Sequence, residues 1–260
     1  MAPESILAAW RTRLARVAEE PLPSSVPAAV TEAAHAWPDR TALHLFERDE
    51  RLSYADLNML SDDLARGLHA RGLRAGDHVA VMLPNCAAWH ITWLAVLRIG
   101  AAVVPVNPAY TARELTYVLG DARVHGWVLS SAQADAIGRI DPWPATLQRE
   151  LILQVERGPI DASPWSQCLA DGARLAPLPD SSAPRLDSVA NVQYTSGTTG
   201  FPKGCLLTHG YWLNLARSAR LLHAVPMRRF FTAQPFFYMD PFWQLLMVLQ
   251  RLRRNENDFM

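Results

Sequence analysis

Between residues 78 and 131, short apolar runs alternate with segments of helical period, and this alternation constrains the fold most. The runs are HVAVML (78–83), AAVVPV (101–106) and HGWVLSS (125–131). Continuous apolar strands of this kind are buried on both faces, as in parallel pairs joined by crossover helices. The stretch from about Cys86 to Ile99 predicts a buried helix. Thr111 and Glu114 form a capping-box pattern that opens another, ending near Gly120. The class is therefore α/β with a mainly parallel sheet.

The flanking segments extend this pattern. TALHLFERDERLSY (41–54) predicts two strands joined by a charged turn. Ser53 and Asp56 make a second capping box, and Leu57, Leu60, Leu64 and Leu68 then recur at helical spacing. Further along, ELILQV (150–155) predicts a strand and Trp165–Leu169 a short helix, while LAPLPDSSAPR (175–185) reads as a surface loop. VANVQYTS (189–196) and GCLLTH (204–209) predict strands on either side of a glycine loop, followed by a helix from about Tyr211 to His223. Residues 1–24 read as an N-terminal amphipathic helix rather than a transit peptide, because Glu4, Glu19 and Glu20 interrupt its basic character.

Acidic and basic residues balance at 25 each, so nothing in the overall charge points to nucleic acid or an anionic membrane surface. The expected partner is a small molecule. The most apolar stretch, 91–106, contains Arg98, Gly100 and Pro105 and falls short of a membrane span of about 20 residues. The three scattered cysteines, Cys86, Cys168 and Cys205, make no metal or CxxC pattern and fit a reducing, cytoplasmic compartment.

The chain contains a single lysine among its 25 basic residues, and it lies in YTSGTTGFPKG (194–204). The string has neither the Gly-Lys-Ser/Thr of a Walker loop nor the GxGxxG spacing of a dinucleotide fingerprint. Its chemistry still suits phosphate. Thr195, Ser196, Thr198 and Thr199 supply hydroxyls, Gly197 and Gly200 let backbone N–H groups turn toward an anion, and Lys203 adds a charge on a long stem. The alternative is a flexible turn with its lysine in water.

The same string resembles the signature of the AMP-forming adenylating superfamily, which includes acyl-CoA synthetases, luciferases and peptide-synthetase adenylation domains. Other segments are similar to family motifs as well: RLSYADL (51–57), RGLRAGDHVAVMLPN (71–85), VLRIGAAVVPVNPAYTARELTYVL (96–119) and QPFFYMDPFW (234–243). The resemblance runs from about residue 25 to 245. It implies that Thr195, Ser196, Gly197, Thr198, Thr199, Gly200 and Lys203 bind the ATP phosphates, and that Tyr238 lines an acyl pocket where many relatives carry histidine. FFYMDP is closer to the carnitine/crotonobetaine-type CoA ligases than to long-chain enzymes. Phe236 and Phe237 read equally well as core aromatics, and Asp240 stays open between capping a turn and lining a pocket.

The implied activity is ATP-dependent conversion of a carboxylic acid to acyl-AMP and then to a coenzyme A thioester. ATP, Mg2+ and coenzyme A are the implied cofactors, with no magnesium ligand named. A non-catalytic nucleotide- or acyl-binding fragment and an amino-acid adenylation domain are the alternatives. The family's later motifs, its C-terminal domain and the catalytic lysine that domain carries have no counterpart among these residues, and Lys203 does not replace that lysine. The expected organisation is thus a partial AMP-binding domain over 25–250 and an atypical charged tail, RLRRNENDFM (251–260), read as a truncated or frameshifted end rather than a solvated one.

Overall fold

A computed structural model of the chain describes residues 3–156, 163–195, 202–222 and 229–252. In chain order the described elements begin with α1 (Pro3–Ala18), α2 (Val26–Ala36), β1 (Thr41–Leu45), β2 (Glu50–Ser53) and α3 (Tyr54–Ala70). They continue with β3 (His78–Met82), α4 (Ala87–Arg98), β4 (Ala102–Pro105), α5 (Ala112–Asp121) and β5 (Gly126–Ser130). The last are β6 (Ile152–Val155), α6 (Pro164–Gly172), β7 (Val189–Thr195), β8 (Lys203–Thr208), α7 (His209–Leu222) and α8 (Asp240–Leu252). The six-stranded sheet has the order β6-β5-β3-β4-β7-β8, and a separate antiparallel hairpin pairs β1 with β2. Neighbours from β6 to β7 run parallel, and only β8 is antiparallel. This is the α/β, mainly parallel arrangement expected from the apolar runs.

Side chains alternate across this sheet and feed two cores. Val79, Val81, Val103 and Val128 face the side covered by α3, α4 and α6. Ala80, Met82, Val104, Trp127 and Leu129 face the side covered by α5. Helix α4 is buried from Ala87 through Leu97, which is why its sequence is apolar all round rather than striped. Both predicted capping boxes form, Ser53 with Asp56 and Thr111 with Glu114, and each satisfies two N–H groups at a helix start.

The elements not anticipated include helix α8 (Asp240–Leu252). Helix α2 was missed although its buried residues Val26, Ala29, Val30, Ala33 and Ala34 recur at helical spacing; its start is fixed by Ser25, whose hydroxyl accepts from Ala28 N at 3.2 Å, and by Pro27 in the first turn. Residues 131–139 form 3₁₀ turns, where the sequence shows no period. Residues 253–260, most of the charged tail, lie outside the described residues, as does His223. No helix among the described residues is long and apolar enough to cross a membrane.

Candidate nucleotide and acyl site

Strand β3 passes to β4 through α4 on one face of the sheet, whereas β4 passes to β5 through α5 on the other. Strand β5 then pairs with the far side of β3. The loops leaving β3 and β4 therefore diverge, which opens a crevice at the carboxyl ends of these strands. Open α/β sheets bind ligands at such a switch point. Strand β7 ends next to it, because β7 pairs with β4.

The β7–β8 hairpin carries the predicted phosphate cradle. Thr195 and Lys203 are register partners at its neck. Directly opposed residues of an antiparallel pair project to the same face, so the first hydroxyl and the lone lysine stand side by side, both exposed. Ser196, Gly197, Thr198, Thr199 and Gly200 lie outside the described residues. The neck is held from below, where Tyr194 OH donates to Asp121 Oδ2 at 2.5 Å. Gly204 lets the chain pass over that ring, since a Cβ there would lie 3.1 Å from Tyr194 Cζ.

Residues 234–238 are pinned across the ends of β3 and β7. Asn85, three residues beyond β3, donates from Nδ2 to Gln234 O at 3.0 Å and accepts from Phe236 N at 2.9 Å. Gln193, on β7, donates from Nε2 to Phe237 O at 3.0 Å. Phe236 turns into the core against His90, with ring centroids 4.2 Å apart. Phe237 lies 4.6 Å from Tyr238, which is 50% exposed. Burial, then the charge of Glu114, then the Tyr238 phenol raise the pKa of Tyr110, in the loop that follows β4. Asp240 resolves to a helix start: its Oδ1 accepts from Trp243 Nε1 at 3.0 Å in the first turn of α8.

The structure thus brings Thr195, Lys203 and the Tyr238 segment to one edge of the sheet. The two residues that tie this edge together, Asn85 and Gln193, were not singled out from the sequence. The available signals were an Asn closing the run HVAVMLPN and a Gln inside an otherwise apolar strand. The remaining titratable groups of this region are structural. Burial pushes the Cys86 thiol up to about 11 and holds His90 down at about 4, so neither is poised as a nucleophile or base near neutral pH. Away from the hairpin, Arg113, Thr116, Arg139 and Asp141 line a shallow cleft of about 380 Å³ beside α5.

Residues 30–251 match the family model described as AMP-binding enzyme. The chain is 32% identical over 214 residues to a long-chain-fatty-acid–CoA ligase of Bacillus subtilis, covering 74% of this chain and 38% of that protein. It is 33% identical over 218 residues to a crotonobetaine/carnitine–CoA ligase of Salmonella paratyphi A, covering 80% and 41%. The fold superposes on a long-chain-fatty-acid-CoA ligase from Archaeoglobus fulgidus with a TM-score of 0.73 and 23% identity, covering 89% of this chain and 46% of that one. The chain belongs to the AMP-binding enzyme family. It spans roughly two fifths of the length of the curated relatives it matches.

Proposed function

We propose that this chain carries the ATP-phosphate side of an AMP-forming acyl-CoA ligase. The observation that carries the reading is the Thr195–Lys203 pair at the hairpin neck, beside the switch-point crevice and under the pinned 234–238 segment. In the reaction, a carboxylate oxygen attacks the α-phosphorus of ATP and the bond to the β-phosphate breaks, giving acyl-AMP and pyrophosphate. The thiol of coenzyme A then attacks the acyl carbonyl and AMP leaves. Negative charge grows on the pyrophosphate in the first step. A lysine on a flexible stem, with hydroxyls and loop N–H groups around it, follows and neutralises that charge.

On this reading Thr195, Ser196, Gly197, Thr198, Thr199, Gly200 and Lys203 hold the β- and γ-phosphates, and magnesium enters with ATP. Tyr238 and its neighbours border the acid. The chain is about as similar to a long-chain-fatty-acid–CoA ligase as to a crotonobetaine/carnitine–CoA ligase, so short and long carboxylic acids are both candidate substrates. The test is ATP–pyrophosphate exchange by the purified chain across a panel of short and long carboxylic acids. Acid-dependent exchange that is lost in Lys203→Ala supports the ligase reading. ATP binding without exchange for any acid favours a nucleotide-binding role instead.

A further inference from the structure

Strand β7 divides its two faces between two tasks. Val192 and Tyr194 belong to the buried cluster on the α5 side, with Leu115, Val118 and Leu119. Side chains alternate along a strand, so Gln193 and Thr195 point to the opposite face. On that face Gln193 Nε2 donates to Phe237 O, and Lys203 projects beside its register partner Thr195. The residues assigned to ATP and to the acid thus share one side of the hairpin neck. Tyr194 braces the neck from the other.

The brace makes contact at two points. At its tip, Tyr194 OH donates at 2.5 Å to Oδ2 of Asp121, the last residue of α5. Its ring also lies beneath Gly204, its register partner and the residue next to Lys203. A Cβ on Gly204 would lie 3.1 Å from Tyr194 Cζ and 3.3 Å from its hydroxyl oxygen. Both strands of the neck are therefore seated on one buried ring. Asp121 itself is exposed, and the dipole of α5 disfavours a carboxylate at the helix C-terminus. The aspartate gains nothing for its own helix; what it does there is hold the phenol.

We propose that Asp121, acting through Tyr194, is a positioning residue for the phosphate cradle, fixing the separation and direction of Thr195 and Lys203 before ATP arrives. A neck already held in its binding geometry spares the ligand the cost of ordering it. Loosening the neck lowers affinity for the part of the nucleotide that the cradle holds and leaves the rest alone. The inference rests on the reading of Thr195 and Lys203 as phosphate-holding residues.

The test is titration calorimetry of the full chain with ATP and with AMP, at a temperature where every protein compared is folded. Tyr194→Phe and Asp121→Ala should each lose about three- to tenfold in ATP affinity, with AMP affinity nearly unchanged. Asp121→Asn should bind ATP as wild type does, because its amide oxygen still accepts from the phenol. The double variant Tyr194→Phe, Asp121→Ala should bind no more weakly than either single variant, since the same bond is removed in each. A role in stability alone would shift the melt and leave the ratio of ATP to AMP affinity unchanged. Because Asp121 is exposed, its variants carry the test even if Tyr194→Phe folds poorly. The proposal is overturned if Asp121→Ala binds ATP like wild type, if ATP and AMP affinities fall together, or if Asp121→Asn is no better than Asp121→Ala. In those cases a loss of ATP affinity in Lys203→Ala leaves the ligase reading standing. Wild type that binds no ATP, or binds it no better than Lys203→Ala does, overturns the ligase reading and the proposal with it.

Discussion

Tyr194 donates a 2.5 Å hydrogen bond to Asp121 Oδ2, joining the last buried residue of β7 to the C-terminal end of α5. It is the residue immediately before the phosphate loop, and burial together with the facing carboxylate keeps its phenol protonated. A hydrogen bond to a charged acceptor is worth about 1.5–3 kcal/mol. Tyr194→Phe should therefore lower the unfolding free energy by about 2 kcal/mol, read as a shift of the urea midpoint at unchanged slope. A midpoint equal to wild type would show that the bond does not anchor the hairpin.

Acid should weaken the fold before the carboxylates titrate. Burial pushes His90 and His209 down to about 4, from the 6.5 of a free imidazole. His209 is fully buried, and its Nδ1 accepts from Val26 N at 3.1 Å, which requires the neutral ring. Below pH 6.5 the unfolded chain binds protons that the folded chain refuses, so stability falls as pH drops from about 6.5 to about 4. The loss is about 3 kcal/mol per histidine across that window, and stability is flat above it as far as these groups are concerned. Urea midpoints between pH 4 and 8 should show this slope, and His90→Gln should remove about half of it.

Helices α3 and α6 approach closely at two glycines. A Cβ on Gly172 would lie 1.8 Å from Asp63 O, and one on Gly67 would lie 2.1 Å from Cys168 O. Both obstacles are backbone and cannot rotate away. Gly172→Ala should cost about 3 kcal/mol. Gly120→Ala is the control, because nothing lies within 4 Å of its Cβ position. In a helix that change should be neutral or stabilising by up to about 1 kcal/mol. Equal effects at the two positions in a melting experiment would contradict this packing.

Asn85 holds the 234–236 backbone at both a donor and an acceptor. In Asn85→Ala the Phe236 amide loses its acceptor, and its hydrogen exchange should rise at least about tenfold while amides of β3 stay protected. Unchanged exchange at Phe236 would mean that the segment is held by its aromatic contacts alone.

Local features of this molecule were legible in the sequence. The buried strands β3, β4 and β5, the capping boxes at Ser53 and Thr111, and the pairing of strands around the glycine loop all follow from period and spacing within a few residues. Contacts between distant positions were not. Nothing in the sequence marks Asn85 as the partner of Phe236 or Gln193 as the partner of Phe237, because each bond joins segments that only the sheet order brings together. The glycines at 67 and 172 are likewise silent until α3 and α6 are packed. Phe236 and Asp240 were ambiguous for the same reason; packing against His90 makes the first a core residue, and Trp243 makes the second a helix start.

The central claim is that Lys203, beside Thr195, is a phosphate-holding residue. The most direct test is the equilibrium affinity of the full chain for ATP and for AMP, by titration calorimetry, in wild type and in Lys203→Ala. The account predicts that wild type binds ATP more tightly than AMP, and that Lys203→Ala loses about tenfold or more for ATP while AMP affinity barely changes. Equal ATP affinity in the two proteins would contradict it and return Lys203 to the role of a solvated turn residue.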